Sequence, residues 1–269
     1  MTSRETVVAG QFYPSNKDEL LKEINTFFAK TKKSDFKSKV IIVPHAGYVY
    51  SGQVAASGFK ALKKKKTYVL LGPNHTGLGS GISISNSDFW ETPLGQVKVN
   101  VELSRIIADE IGELDELSHI GEHSIEVQLP FLQVLFKNDF DIVAISIATD
   151  DLRELKHLGE ILANASKKYD FGMVVSSDFS HFLDQEETEN RDFEAIKYIE
   201  TMDVYGFYNA VKSKNMSICG ASPIVSAMQY YYCQSGERCN KGRIIEYSTS
   251  GKVSGDFSSV VGYAAIGFE

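Results

Sequence analysis

Short runs of β-branched and aliphatic residues recur along the chain with helix-length segments between them, and this alternation restricts the fold more than any other feature. Residues 40–43, 68–71, 142–147, 173–175, 244–247 and 260–266 read as strands. Residues 53–62, 101–111, 125–136, 151–165, 193–200 and 223–232 read as helices. The strands are apolar at nearly every position, and such strands need a sheet covered by helices on both faces. The expectation is an α/β fold: a single layered domain with a central, mostly parallel sheet flanked by helices. No internal repeat, low-complexity tract or Pro/Gly/Ser-rich linker divides the sequence, so the domain is expected to span residues 1–269.

Charge and cysteine usage narrow the function. Lys and Arg total 28 against 35 Asp and Glu, a formal net charge of −7. That balance argues against nucleic acid as a partner, because affinity for phosphates comes from clustered cations. The basic run at 63–66 lies between a helix and a strand and reads as a solvated connector. Three cysteines, at 219, 233 and 239, have neither CxxC spacing nor an even count. A disulfide framework and a zinc ribbon are therefore not expected, a reducing compartment is, and Cys233 and Cys239 read as structural. The first residues lack the apolar stretch of a signal peptide, and no later run reaches the roughly 18 apolar residues of a membrane span, so a cytoplasmic protein with no membrane contact is expected.

Three strand exits each deliver a histidine. Residues 41–43 run into Pro44-His45-Ala46-Gly47-Tyr48, residues 69–71 into Gly72-Pro73-Asn74-His75, and residues 173–175 into Ser176-Ser177-Asp178-Phe179-Ser180-His181. In open α/β sheets ligands bind just outside the carboxyl ends of strands, so these loops converge if their strands are parallel neighbours. One loop histidine alone commonly caps backbone groups; three at matching exits point to a shared pocket. Gly47 and Gly72 are expected to make turns barred to other residues, and Pro44 and Pro73 to stiffen both loops.

Asp178 and His181, three residues apart, face one cavity if the segment opens a turn or helix, and together make a general acid/base unit; equally, Asp178 caps its own turn. In Glu122-His123-Ser124-Ile125-Glu126 the acidic residues suit a helix start, which leaves His123 either in a cap or in the pocket. Cys219, in Ile218-Cys219-Gly220-Ala221-Ser222-Pro223, precedes a helix whose N-terminus would favour the thiolate, though a lone cysteine is more often a small buried hydrophobe.

These motifs, with Ala9-Gly10-Gln11-Phe12-Tyr13-Pro14 at the start and Ser258-Ser259-Val260-Val261-Gly262-Tyr263 at the end, resemble the Memo family, also called component B of the AmmeMemoRadiSam system. The resemblance runs through essentially the whole chain. It implies a fold similar to that of the class III extradiol dioxygenases, non-haem iron enzymes that open catechol rings. It also implies His45, His75 and Cys219 as metal ligands, with His181 as the acid/base histidine, Asp178 in the same pocket and His123 at its edge. The sequence departs from animal members at Thr76 and Ser222, where they carry histidines, and at Ser180, where they carry a cysteine; their signalling role concerns other partners.

Two imidazoles and a thiolate accept iron(II), copper and zinc; iron(II) is the cofactor the resemblance favours. One reading is thus a metal-dependent redox enzyme acting on a small chelating molecule, with His181 moving a proton and Asp178 orienting it. Another is a metal- or ligand-binding protein without turnover, working with radical-SAM and AMMECR1-like proteins. A third makes Cys219 a nucleophile and His181 its base.

Overall fold

The computed structural model describes residues 2–111, 113–235 and 241–269. The first half of the chain runs β1 (Ser3–Arg4), α1 (Lys17–Lys30), β2 (Val40–Val43), α2 (Tyr48–Ala61), β3 (Thr67–Pro73), β4 (Ile82–Ile84), β5 (Phe89–Trp90), β6 (Val97–Val99), α3 (Val101–Ile111) and β7 (Glu113–Leu114). The second half runs α4 (Leu129–Phe136), β8 (Asp141–Ile147), α5 (Leu152–Ala165), β9 (Phe171–Ser176), β10 (His181–Leu183), α6 (Gln185–Glu200), α7 (Val204–Ser213), α8 (Ala221–Ser235), β11 (Gly242–Thr249), α9 (Gly251–Ser254) and β12 (Val260–Phe268).

The sheet is mixed, with a parallel centre. Along its main path the order is β1-β5-β6-β8-β3-β9-β2-β12-β10, with β11 added beside β12. Strands β6, β8, β3, β9 and β2 run parallel to one another; β5 is antiparallel to β6 and β4 to β8, and β12 turns the direction, running antiparallel to β2, β10 and β11. Within the uniformly apolar strands successive residues still face opposite ways. Val40 and Ile42 join Val69, Leu71, Met173 and Val175 in the core beneath α5 and α8, while Ile41, Val43, Tyr68, Leu70 and Val174 join the core beneath α1, α2 and α4. Both faces are covered, as the absence of polar alternation demands. The parallel order β3-β9-β2 sets the three histidine-bearing exits side by side at one edge of the layers.

Every expected strand is present; β2 coincides with its apolar run and the other five are slightly longer. The helices differ more. Helix α2 begins at Tyr48 rather than at residue 53, straight after the histidine loop. Helix α6 begins at Gln185 rather than at 193; its first two turns are polar and give no apolar stripe, but the Asp184 carboxylate accepts from the Glu187 amide and caps it. The expected helix at 125–136 splits into a 3₁₀ turn, Glu126–Gln128, and α4. Helices α1 and α7 went unread in the sequence although each carries a start signal: Asn16 accepts from the Asp18 and Glu19 amides, and Asp203 from that of Gly206. Leu20, Ile24 and Phe28 then form the buried stripe of α1.

The basic run behaves as a connector, with Lys64 and Lys66 pairing with Asp139 and Lys65 with Asp170 at the surface. Cys233 is exposed on α8 rather than packed in the core, and Cys239 lies outside the described residues. No described helix is long and apolar enough to cross a membrane.

Candidate metal centre

The exit loops of β2 and β3 and the loop ahead of α4 bring His45, His75 and His123 together, with one potential ligand atom from each lying within 4.8 Å of the others. The ring centroids are 5.2 Å apart for His45 and His75, 5.5 Å for His45 and His123, and 4.9 Å for His75 and His123.

Each imidazole is held by its own partners. At His45, Nδ1 lies 2.9 Å from the Ser176 hydroxyl at the end of β9. That hydroxyl already donates to the Ser124 carbonyl at 2.6 Å and accepts from Gln128 Nε2 at 2.8 Å. With its only proton committed, it accepts from His45, which fixes the Nδ1–H tautomer and leaves the Nε2 lone pair free. At His75, Nδ1 lies 3.0 Å from Glu122 Oε1, so this ring too carries its proton on Nδ1 and turns Nε2 outward. A carboxylate that orients an imidazole in this way is a usual support of a metal-binding histidine. His123 stacks on His75, with the edge of Phe12 packed against it at 4.8 Å.

Burial lowers the pKa of His45, and its two imidazole neighbours lower it further; burial lowers that of His123 as well. Neutral rings with free lone pairs are the form that ligates a metal. The group therefore fits a metal ion through its donor chemistry.

Glu122 is the residue that ties the loops together. Besides the His75 ring it accepts from the backbone amides of His75, His123 and Ser124. Burial pushes its carboxyl up, but the hydrogen bonds from the His75 ring and from the Ser124 and His75 amides outweigh it and bring the pKa down to about 2. Glu126 does not cap its own helix, as its position suggested. It forms a buried ion pair with Arg4 and accepts from the amides of Val7 and Val8 and from the Tyr13 hydroxyl. The N-terminal segment is thereby strapped across the His123 loop, which positions Phe12.

Asp178 and His181 do not form the expected pair. Residues 177–180 are irregular and β10 begins at His181. Asp178 caps nothing in its own turn. Its Oδ1 accepts from the amides of His45 at 2.8 Å and Ala46 at 3.3 Å, and its Oδ2 lies 4.0 Å from His45 Nε2. His181 donates instead from Nδ1 to the Ser217 carbonyl at 2.7 Å, which leaves its Nε2 as an acceptor. Beside it Phe182 is 76% exposed, at a φ of 62° where a bulge interrupts the pairing with β12.

Cys219 lies next to this group without being one of the three. Its Sγ is 3.2 Å from His45 Nε2 and accepts from the Asp178 amide at 3.2 Å. The thiol therefore meets His45, not His181, which removes the imagined Cys219–His181 couple. Burial pushes the Cys219 pKa well up in the metal-free chain, and the nearby Asp178 adds to it, as suits a small buried thiol.

Gly47 and Gly72 do not act as turn residues, since neither has a positive φ. A Cβ at Gly72 would fall 2.6 Å from Ser124 Oγ, so this glycine instead lets the His123 loop close against β3. Gly220 plays the same part for Cys219, where a Cβ would meet Ser177 Cβ at 2.3 Å.

Comparison with known proteins follows the same lines. The sequence model of the family described as Memo-like protein matches residues 4–267. A MEMO1 family protein of Methanosarcina barkeri is 43% identical over 267 residues, 98% of each chain. One from Aquifex aeolicus is 38% identical over 269 residues, the full length of both. The crystal structure of an uncharacterized protein from Escherichia coli K12 has a similar fold, with a TM-score of 0.54 at 13% identity, covering 85% of this chain and 99% of the other.

Proposed function

The chain belongs to the Memo-like protein family, and from that premise we propose that it is a metal-dependent redox enzyme, related to the class III extradiol dioxygenases, that holds iron(II) and acts on a small chelating molecule. The single observation that supports this reading most is the gathering of three imidazoles from three loops, with His45 and His75 both fixed to present Nε2. Imidazole ligands suit iron, copper and zinc alike, so iron(II) is taken from the family resemblance and the other two are outcomes of the test.

When bound, the metal would supply Lewis acidity toward a chelating hydroxyl and a redox centre for oxygen. His45 and His75 would hold it through Nε2, with His123 and Cys219 as the remaining donors at hand. Ser176 and Glu122 keep the rings oriented. His181 Nε2 is the proton acceptor for a substrate hydroxyl, its ring set by the Ser217 carbonyl, and Asp178 holds the His45 loop in register. A cytoplasmic location and companionship with radical-SAM and AMMECR1-like proteins belong to the same proposal.

The test is oxygen uptake by iron-loaded protein presented with a series of catechols. Uptake that depends on the catechol and is lost in His181→Ala, while that variant keeps its iron, supports the reading. Stoichiometric iron with no uptake across the series would make the protein a metal binder without turnover.

A further inference from the structure

A second region, away from the histidines, also has the form of a binding site. A cleft of about 740 Å³ runs between the segment after α1 and strand β11. Its cations are Lys32, Lys33, Lys37, Lys60 and Arg243. Against them stand two anions, Asp35 and Glu246, and Glu246 is already hydrogen-bonded to Ser57. The protein as a whole carries −7, whereas the cleft is lined by more cations than anions. Lys32 and Lys33 are exposed, with no hydrogen-bond or ion-pair partner among the described residues.

The other wall is an open sheet edge. Strand β11 is eight residues long and pairs with β12 on one side only; among the described residues nothing pairs with its other side. Five consecutive residues of β11, Arg243, Ile244, Ile245, Glu246 and Tyr247, line the cleft, so the strand presents its length to it and not one face. Edge strands are ordinarily shielded by charges on the strand itself. On β11 Arg243 and Glu246 are such charges, while Lys32, Lys33 and Lys37 stand across the cleft, where they would face an inserted chain.

We propose that this cleft takes an extended acidic segment of a partner protein, added as a strand beside β11. The free backbone groups of β11 would supply the pairing, and the cations on the facing wall would select for carboxylates, a division of affinity and specificity usual for strand addition. A compact anion would use the lysines and leave the strand edge idle, which is why an extended peptide fits better.

The probe is a fluorescein-labelled peptide alternating glutamate with valine, titrated into the full chain and followed by anisotropy and by backbone hydrogen exchange. The expected results are saturable binding, slower exchange of the amides of β11, and affinity lowered about tenfold or more when salt is raised from about 0.05 M to about 0.5 M. Lys32→Glu combined with Lys33→Glu should weaken binding by about tenfold or more, since both side chains are exposed and their replacement leaves the fold intact. Absence of binding at millimolar peptide, or binding without a change in β11 exchange, would overturn the proposal. So would displacement by inorganic tripolyphosphate that itself reproduces the β11 protection, or self-association of the chain through this edge in place of peptide binding.

Discussion

Two buried carboxylates flank the same imidazoles and titrate in opposite directions. Glu122 is 2% exposed and Asp178 4%, so loss of water pushes both upward. Glu122 collects three backbone N–H donors and the His75 ring, and falls to about 2. Asp178 collects two backbone donors, those of His45 and Ala46, and rises to about 6. Asp178 is also the more deeply desolvated of the two, so deeper burial and fewer donors act in the same direction. One side of the centre is a fixed anion that orients a ring; the other is a group that changes charge close to physiological pH. Pairs of acids separated in this way are a common arrangement at reactive sites.

Replacing Glu122 is the largest way to break the contrast. In Glu122→Gln the side chain keeps one oxygen and turns an NH₂ toward backbone donors, so the His75 and His123 loops lose their common tie. Metal affinity should fall about 10- to 100-fold, the usual effect of removing a group that supports a metal-binding histidine. Isothermal titration with iron(II) under anaerobic conditions checks this, and an unchanged affinity would deny Glu122 its role.

Opposite pH dependences of stability sharpen the comparison next. In the metal-free chain Glu122 binds its proton less tightly when folded, so its contribution is present above about 4.5 and is lost as pH falls toward 2. Asp178 binds its proton more tightly when folded, so no penalty exists below about 3.8 and one grows as pH rises through about 6. Asp178→Asn should therefore flatten the fall in Tm between those two values, while Glu122→Gln should flatten the rise at lower pH. Thermal melts of metal-free protein across this range separate the two.

The smallest effect belongs to Ser176. Ser176→Ala removes the acceptor of both His45 Nδ1 and Gln128 Nε2, and should lower stability by about 1–3 kcal/mol, a loss read from urea unfolding. It frees the His45 tautomer and leaves Glu122 and His75 untouched, so His75 should keep its ring resonances in an NMR spectrum while those of His45 shift.

Some of this was legible in the sequence and some was not. Unbroken apolar strands and the histidines at their exits are local signals, and they gave the layers and the neighbourhood of His45, His75, Asp178 and His181. The supports are not local. Glu122 reaches back 47 residues to His75, and Ser176 meets His45 across 131, pairings that no periodicity announces. The sequence placed Asp178 with His181 because they are three apart, whereas the irregular backbone at 177–180 turns the carboxylate to the His45 loop. For Cys219 the start of α8 favours a thiolate and burial favours the thiol, and in the metal-free chain burial outweighs the helix end. Gly72 suggests a turn because glycine adopts backbone conformations barred to other residues; its use is the close passage of Ser124, visible only once β3 and the His123 loop are packed. Helices α1 and α7 carry both local signals, a cap in Asn16 or Asp203 and an apolar stripe in Leu20, Ile24 and Phe28 or Val204, Phe207 and Ala210.

The central claim is that the imidazole group holds a metal ion, and elemental analysis of protein purified without added metal tests it most directly. Wild-type chain should carry close to one equivalent of a transition metal, iron by this account, and His45→Ala and His75→Ala should each lose most of it while keeping their fold by circular dichroism. Metal-free wild-type protein that also fails to take up iron(II), copper or zinc, or a metal content unchanged in both variants, would contradict it.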